Sequence, residues 1–266
     1  MTAARAAATD APADLLPALR AIAATAGEAI LGIYRGAFDV RTKGDASPVT
    51  VADELADRLI VAALRQLTPA IPVVSEETVE TSGPAAAGAA RFWLVDPLDG
   101  TKEFIKRNGE FTVNIALIDR GRPVAGVVHI PALGETFAGA DGAGASLQRA
   151  GAQPLPIHCR PAPAEGLTVM TSRSHADNAV LDDFLRDWPV AARQVAGSSL
   201  KLCRIAEGAA DLYPRLGPTM EWDTAAGQAV LEAAGGTVRD LDGAPLRYGK
   251  GDYRNPHFLA RGTTDG

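Results

Sequence analysis

The sequence predicts an α+β first half joined to an α/β second half, with sheets layered between helices. Three patterns support this prediction: two amphipathic helical stretches near the N-terminus, a glycine-punctuated run of alternating apolar residues over 111–147, and alternating strand-like and helix-like segments after about residue 160. We place an N-terminal α+β subdomain at 12–158 and a C-terminal α/β subdomain at 159–262. A chain of 266 residues suits one large domain or two closely packed halves.

The N-terminal subdomain is predicted to open with two helices. Apolar residues recur at helical spacing over about 12–36, and Gly36 is the expected stop. The second helix, VTVADELADRLIVAALRQL, has Thr50 as a natural N-cap and Asp53 three residues later, which is the pattern of a capping box. Its expected apolar stripe consists of Val51, Leu55, Leu59, Ala63 and Leu67.

Strands and a meander are predicted to follow. We expect short strands at IPVVSEE and RFWLVDP, on either side of the surface loop TSGPAAAGAA. An antiparallel meander is predicted over 111–147, because apolar residues alternate there and glycines mark the turns. In the C-terminal subdomain we expect strands at LTVMTS, ARQVAGSS and TVRDLDGAPL, and helices at HADNAVLDDFLRDW, LKLCRIAEGAADLY and DTAAGQAVLEAAGG.

Composition and charge exclude several classes of protein. The net charge of −6 argues against a nucleic acid polymer as partner, because such binding needs clustered Lys and Arg. The two cysteines, Cys159 and Cys203, fit no zinc motif, and we expect both to be reduced and buried. The N-terminus lacks the pattern of a signal peptide, and no apolar run approaches the length of a membrane span. We therefore expect no transmembrane segment and a cytoplasmic location, with a peripheral position at the inner membrane left open.

Acidic residues stand where several predicted elements begin or end. Asp96 and Asp99 close one strand, Glu76 closes another, and Asp223 precedes a helix. On their own, Asp96 and Asp99 could be turn residues, the neighbouring Glu77 a solvated strand end, and Asp223 an N-cap. Together they can meet at one edge of a sheet, where carboxylates repel each other unless a cation lies among them. Oxygen ligands without His or Cys favour Mg²⁺ over zinc, and the carbonyl of Leu98 could complete the shell.

A phosphate site is predicted beside these acids. Gly100 and Thr101 precede the predicted short helix KEFIKR, and the free N–H groups at a helix start bind phosphate oxygens. Metal ions next to a phosphate suit in-line displacement at phosphorus, because they stabilise both the attacking and the leaving oxygen. The residues thus favour phosphoryl chemistry.

Several of these segments together resemble one known family. VSEE, DPLDGTKEF and EWDTAAGQAVLEAAGG resemble, in order, the three motifs of the inositol monophosphatase-like, lithium-sensitive phosphatases, and KGDASPVTVAD resembles their upstream segment. The resemblance runs from about residue 15 to about 260. Within the family, DGTKEF, TSRSH and GSSLKLCRIAEGAADLYPRLGPTMEWDTAAG are similar to the 3′(2′),5′-bisphosphate nucleotidases. The implied fold is the layered αβαβα sandwich of the lithium-sensitive, Mg-dependent sugar-phosphatase type.

The resemblance implies an activity, a cofactor and a substrate. The activity is hydrolysis of adenosine 3′,5′-bisphosphate to AMP and phosphate, a reaction linked to sulfate activation, with two or three Mg²⁺ ions. The partner is a small nucleotide, and the protein is expected to be a monomer or a homodimer. One alternative is an inositol monophosphatase. Another is a non-catalytic sensor of metal or nucleotide, which the presence of both Asp53 and Thr101 disfavours.

The resemblance also assigns roles to residues. Asp53 and the Thr101 hydroxyl would orient and deprotonate the attacking water, although without the resemblance Asp53 is better explained as a helix-start acid. Asp96 would bridge two ions. The implied metal ligands are Glu76, Asp96, the Leu98 carbonyl, Asp99 and Asp223.

Residues implied to contact the substrate are spread over both subdomains. Ser198 and Ser199 could equally be helix caps, and a lone basic residue is often a solvated charge. Arg173 is a weaker candidate, and Glu103 is expected at the surface. Lys43 and Asp45 match a loop that in the family closes over the site and helps to hold a third metal. The implied substrate contacts are Gly100, Thr101, His175, Ser198, Ser199, Lys201 and Arg215.

Overall fold

The computed structural model describes residues 11–37, 40–42, 48–79, 89–173 and 178–263. In these ranges the helices are α1 (Pro12–Tyr34), α2 (Val51–Leu67), α3 (Thr101–Ile105), α4 (Asn178–Phe184), α5 (Leu200–Ala206) and α6 (Ala225–Ala233), with a 3-10 turn at Pro131–Leu133.

A seven-stranded sheet forms the centre of the N-terminal part of the fold. Its first two strands are parallel and all others pair antiparallel with their chain neighbours, which confirms the predicted meander. In spatial and chain order the strands are β3 (Val73–Ser75), β4 (Arg91–Asp99), β5 (Thr112–Asp119), β6 (Arg122–Ile130), β7 (Glu135–Ala140), β8 (Gly144–Arg149) and β9 (Leu155–Ile157). Strands β1 (Val40–Thr42) and β2 (Pro48–Thr50) form a separate antiparallel pair that the sequence reading missed.

The C-terminal part of the fold holds a five-stranded sheet in the order β11-β10-β12-β14-β13. Pairing of β10 with β11 and with β12 is parallel, whereas β14 pairs antiparallel with β12 and β13. The strands are β10 (Leu167–Ser172), β11 (Val190–Ala196), β12 (Leu212–Arg215), β13 (Thr237–Asp240) and β14 (Phe258–Arg261).

Alternation along β4 shows how the layers stack. Trp93 and Val95 face the core formed with α1 and α2, whereas Phe92 and Leu94 face the core formed with α5 and α6. The second core also contains residues of the five-stranded sheet, whose outer face packs against α4. The order of layers is therefore helices, seven-stranded sheet, helices, five-stranded sheet, helix, which confirms the predicted αβαβα sandwich. The two sheets fall on either side of residues 158 and 159, but they share a core, and the subdomain boundary itself stays a prediction.

The prediction of which α2 residues are buried is wrong, because the observed stripe is shifted by one position along the helix. Val51 is 44% exposed, whereas the buried stripe consists of Ala52, Ala56, Ile60 and Leu64. Small alanines on this face allow α2 to pack closely against α1, and the same rotation turns Asp53 inward. The predicted capping box of Thr50 and Asp53 is confirmed.

The helix predicted over 200–213 is too long. It ends at Ala206, because Gly208 adopts a left-handed φ of 76° and the chain then enters β12. Helix α4 ends at Phe184, before the predicted end at Trp188, and β14 was not predicted at all. Both cysteines are free and buried, as predicted.

Helix α1 is, by length and composition, apolar enough to cross a membrane. In the structure it packs against α2 and strands β5–β7, and Arg20 on it donates to the Thr136 carbonyl and the Ser146 hydroxyl at 3.3 and 2.6 Å. These contacts lie within the fold and give no support to a peripheral membrane position.

Candidate active site

The end of β4 carries two of the predicted acids on either side of a break in pairing. Asp96 pairs with Asn114 and Asp99 with Thr112, so Pro97 and Leu98 bulge out of the ladder. The N–H of Leu98 donates back to Asp96 Oδ1 at 3.1 Å, which fixes the bulge. This irregularity lets both carboxylates face the same side at the strand end.

Three carboxylates converge at this point. Oxygen atoms of Asp96, Asp99 and Asp223 all lie within 4.8 Å of one another. Asp223 comes from the segment before α6, and its Oδ2 accepts the N–H of Met220 at 2.8 Å. The predicted convergence of acids from separate elements is therefore observed for these three residues.

Ser199 joins the segment after β11 to the end of β4 at the cluster. Its N–H and hydroxyl reach Asp99 Oδ2 at 2.7 and 3.1 Å, and the hydroxyl also lies 2.6 Å from the Asp223 carbonyl. Asn114 Nδ2 donates to the Ser199 hydroxyl at 2.9 Å and lies 3.3 Å from Asp99 Oδ2. Ser199 makes no side-chain cap for α5, so the alternative of a simple cap does not hold.

Burial and mutual repulsion raise the pKa values of the clustered acids. The pKa of Asp96 lies well above its ordinary value because of burial first and then the charges of Glu76, Asp99 and Asp223. Burial, Asp99 and Glu76 likewise raise the pKa of Asp223 well above its ordinary value. Burial also raises the pKa of Asp99, although Lys201 and the donors on Ser199 oppose this shift. Such a cluster favours a bound cation, and its all-oxygen donor set fits a hard divalent ion.

Glu76 lies beside this group at the end of β3. Its N–H donates to the Val95 carbonyl at 3.1 Å, and the parallel pairing of β3 with β4 brings it to the same sheet edge as Asp96. The preceding Ser75 hydroxyl donates to Asp57 Oδ1 at 2.5 Å. Glu76 is close enough to raise the pKa of Asp96, but its carboxylate is not among the three within 4.8 Å.

Asp53 and Thr101 are brought together across 48 positions of sequence. The Thr101 hydroxyl lies 3.2 Å from Asp53 Oδ1 and 3.4 Å from the Leu98 carbonyl. Asp53 Oδ2 accepts the Thr50 N–H and hydroxyl at 2.8 and 2.7 Å. The capping box therefore fixes one oxygen of a buried carboxylate and directs the other towards Thr101.

Gly100 connects this pair to the acidic cluster. It has a left-handed φ of 89° directly before α3, and a Cβ there would collide with the Ser198 hydroxyl. That hydroxyl lies 2.8 Å from both the Asp99 and the Glu110 carbonyls. The turn that carries Ser198 and Ser199 is thus locked against the end of β4.

The predicted basic residues are buried next to this turn. Lys201 Nζ donates to the carbonyls of Ala196 and Ser198 at 3.2 and 2.7 Å, and burial lowers its pKa to about 8 although Asp99 opposes the shift. Arg215 donates to the Ser172 hydroxyl and the Pro218 carbonyl at 3.3 and 2.6 Å. Its buried Nε has no hydrogen-bond partner in the described part of the chain. Both cations face the region of the cluster, since Lys201 acts on Asp99 and Arg215 on Asp223.

Some predicted residues are elsewhere or cannot be placed. His175, Lys43 and Asp45 lie outside the described residues. Arg173 forms a two-bond ion pair with Glu110. The expectation that Glu103 is at the surface is wrong: it is 5% exposed, because the backbone of Gly197 packs against its side chain.

Sequence reasoning missed Asn114, Thr112 and Glu110 as parts of the site. A signal was present for the first two, since they are polar residues on the buried strand TVNIALI, which has no solvent to face. Glu110 gave no signal, because it follows a polar turn where an acid is ordinary.

Comparison with known proteins identifies the class to which this fold and site belong. The sequence matches the Inositol monophosphatase family over residues 12–264, and the chain belongs to this family. It is 47% identical over 240 residues to the 3′(2′),5′-bisphosphate nucleotidase CysQ of Escherichia coli strain K12, covering 89% of this chain and 95% of that protein. It is 34% identical over 254 residues to CysQ of Haemophilus influenzae, covering 93% of each.

Solved structures agree with this assignment. The crystal structure of CysQ from Bacteroides thetaiotaomicron superposes with a TM-score of 0.80 at 37% identity, covering 96% of this chain and 98% of that one. The inositol monophosphatase of Thermotoga maritima superposes with a TM-score of 0.76 at 26% identity, covering 93% and 92%. The predicted family, the fold and the resemblance to bisphosphate nucleotidases are confirmed.

Proposed function

We propose that this chain is a Mg²⁺-dependent 3′(2′),5′-bisphosphate nucleotidase that hydrolyses adenosine 3′,5′-bisphosphate to AMP and phosphate. The observation that carries the proposal is the buried cluster of Asp96, Asp99 and Asp223 next to the Asp53–Thr101 pair, which joins a cation site to a proton acceptor. The substrate class follows from relatives named as such nucleotidases at 46–49% identity. The proposed setting is sulfate activation in the cytoplasm.

The three aspartates would hold two or three Mg²⁺ ions, together with Glu76 and the Leu98 carbonyl. Asp96 is the most enclosed of the three, at 1% exposure, and is the proposed bridging ligand. When bound, Mg²⁺ lowers the pKa of water and offsets negative charge on the phosphate oxygens.

Asp53 and Thr101 would prepare the attacking water. The Thr101 hydroxyl donates a hydrogen bond to Asp53 Oδ1, which leaves the hydroxyl oxygen able to accept a hydrogen bond from water. As water attacks phosphorus, its proton would pass through the Thr101 hydroxyl to Asp53, and the bond between phosphorus and the ribose 3′-oxygen would break. The released 3′-oxygen would take a proton from solvent water. Because Thr50 holds Asp53 Oδ2, the carboxylate is already oriented for this transfer.

The two phosphates of the substrate would have separate sites. The first N–H groups of α3, at Gly100 and Thr101, face the reacting phosphate in this proposal. Arg215 and the Ser198–Ser199 turn would recognise the second phosphate, with His175 near the nucleoside, and buried Lys201 adds positive charge. The unpartnered Nε of Arg215 supports this assignment, since a guanidinium with a spare donor can still bind an anion.

A substrate comparison tests the proposal. With Mg²⁺ present, we expect kcat/KM for phosphate release to be at least about 10-fold higher with adenosine 3′,5′-bisphosphate than with inositol 1-phosphate, because Arg215 has a charge to pair only in the bisphosphate. The reverse preference would instead assign the chain as an inositol monophosphatase, the activity of its structural neighbour from Thermotoga maritima. Tight nucleotide binding without any turnover would assign it as a sensor.

Lithium is expected to inhibit the enzyme, as the family resemblance implies. A small monovalent cation can occupy one position among the three aspartates without supplying the charge of Mg²⁺. We expect turnover to fall as Li⁺ enters the millimolar range at fixed Mg²⁺, with an equal concentration of Na⁺ as the control. Turnover that does not change with Li⁺ would remove lithium sensitivity from the proposal.

A further inference from the structure

The turn of residues 197–199 holds Asp99 from outside the N-terminal subdomain. Ser199 N–H donates to Asp99 Oδ2 at 2.7 Å, and Ser198 Oγ lies 2.8 Å from the Asp99 carbonyl. Ser198 has a left-handed φ of 49°, which a non-glycine residue adopts only when its surroundings impose it. Something next to the turn must therefore hold it in this conformation.

Glu110 supplies three contacts that do so. Its Oε2 accepts the Gly197 N–H at 2.8 Å, and its carbonyl lies 2.8 Å from the Ser198 hydroxyl. A Cβ at Gly197 would come within 2.8 Å of the same carbonyl, so the two segments touch backbone to backbone. Glu110 thus fixes both the start and the middle of the turn.

Glu110 is itself attached to rigid structure. It precedes Phe111, whose ring packs with those of Tyr34 and Phe104 at centroid distances of 4.9 and 5.2 Å. Arg107, earlier in the same turn, donates to the Tyr34 carbonyl at 2.5 Å. The Glu110 carboxylate therefore has a fixed base from which to hold the 197–199 turn.

Arg173 completes the arrangement. Its Nε and NH2 groups donate to the two Glu110 oxygens at 3.0 and 2.8 Å, a paired geometry that fixes the plane of the carboxylate. The side chains are 42% and 20% exposed. Because Arg173 follows β10, the ion pair connects the C-terminal subdomain to the turn after α3.

We propose that Glu110 and Arg173 are positioning residues that set the metal affinity of the site by holding the 197–199 turn against Asp99. The inference rests on the proposed function, in which Asp99 is a metal ligand. Outer partners of ligating carboxylates change metal affinity strongly when they are removed, although they never touch the ion. The pair is not proposed to contact the substrate, but the turn that it holds carries Ser198 and Ser199, so its loss is expected to weaken cation binding and to raise KM for the bisphosphate.

Calorimetric titration of Mn²⁺ into metal-free protein tests the inference without using activity. We expect Glu110→Ala to weaken Mn²⁺ binding by about 10-fold, and Glu110→Gln and Arg173→Gln by about 3-fold, since each of these leaves part of the arrangement intact. Glu207→Gln is the matched control, because Glu207 pairs with Arg204 at 2.5 Å with a similar 13% exposure but contacts none of the site residues. Its Mn²⁺ affinity should equal that of the wild type.

The outcomes separate the inference from the proposed function. A folded Glu110→Ala protein with wild-type Mn²⁺ affinity and only a lower Tm would reduce Glu110 to a structural role and overturn the inference. If Glu110→Ala does not fold, Arg173→Gln decides in the same way. A wild-type protein that neither binds Mn²⁺ nor releases phosphate would instead contradict the proposed function. Raising Mg²⁺ should restore kcat of Glu110→Gln to near the wild-type value, which a defect in chemistry would not allow.

Discussion

Asp96→Asn is expected to lower kcat/KM for phosphate release from adenosine 3′,5′-bisphosphate by about 10³-fold or more. The substitution keeps the shape of the side chain but removes the negative charge at the most buried position of the cluster. Asn can still accept the Leu98 N–H that fixes the bulge of β4, so the strand end should keep its conformation. Steady-state phosphate release at saturating Mg²⁺ measures the effect, and activity within 10-fold of the wild type would contradict a bridging role for Asp96.

Asp96→Asn should lower activity but raise the thermal stability of the metal-free protein. Burial and neighbouring carboxylates raise the pKa of Asp96 in the folded state, so the folded protein binds this proton more tightly than the unfolded chain. Proton binding by Asp96 therefore stabilises the folded protein. This stabilisation is complete below the pKa that Asp96 has in the unfolded chain, and it is lost as pH rises through the higher pKa of the folded state. At pH 7 without metal, Asp96→Asn should therefore have a higher Tm than the wild type, and Mg²⁺ should raise only the wild-type Tm strongly.

Asp211→Asn provides the control for both measurements. Asp211 is also a buried aspartate, but it lies at the opposite end of β12 from Arg215 and forms a two-bond pair with Arg160 at 2.8 Å. Its substitution should lower Tm with or without Mg²⁺, because Arg160, whose side chain is 36% exposed, loses its charged partner, and leave kcat nearly unchanged.

Asp53→Asn is expected to lower kcat by about 10²–10⁴-fold while leaving the Mn²⁺ affinity of the metal-free protein close to the wild-type value. The amide cannot accept a proton from water, yet its oxygen can still serve the capping box with Thr50. The stability cost should stay near that of a weakened helix cap, about 1 kcal/mol. Pre-steady-state and steady-state phosphate release measure the loss of kcat, and calorimetric titration measures whether the Mn²⁺ affinity has changed.

Glu54→Gln is the matched control for Asp53. It changes the next acid in the first turn of α2, which points outwards and pairs with Arg41 at 2.7 Å. If Asp53 only stabilised the helix dipole, both variants would lose a little stability and neither would lose kcat. That result would remove Asp53 from the chemistry and leave the metal cluster unaffected.

The acidic site could be predicted from the sequence because its acids are tied to local structure. Asp96, Asp99 and Asp223 stand at a strand end and before a helix, and such ends meet at one edge of a layered fold. The capping box of Asp53 was predictable for the same reason, since Thr50 and Asp53 are three residues apart. Glu76 lies at the same edge, but its distance from the cluster could not be predicted from the spacing of residues in the sequence.

The contacts that hold the site could not be predicted, because they join distant segments. Ser199 meets Asp99 across 100 positions and Gly197 meets Glu110 across 87, and neither pair has a periodic pattern. The buried face of α2 was misjudged because hydrophobicity favoured Leu55 and Leu59, whereas close packing favoured Ala52 and Ala56. The helix at 200–206 was extended too far because Leu212 and Tyr213 continue its apolar pattern, although they pair with β14 instead.

Phosphate release from adenosine 3′,5′-bisphosphate by chelator-treated protein, with Mg²⁺ restored stepwise, tests the central claim most directly. The account predicts no release above background without divalent cation, full recovery on addition of Mg²⁺, and no recovery in Asp96→Asn. Undiminished release in the presence of chelator, or full recovery in Asp96→Asn, would contradict a metal-dependent nucleotidase centred on Asp96, Asp99 and Asp223.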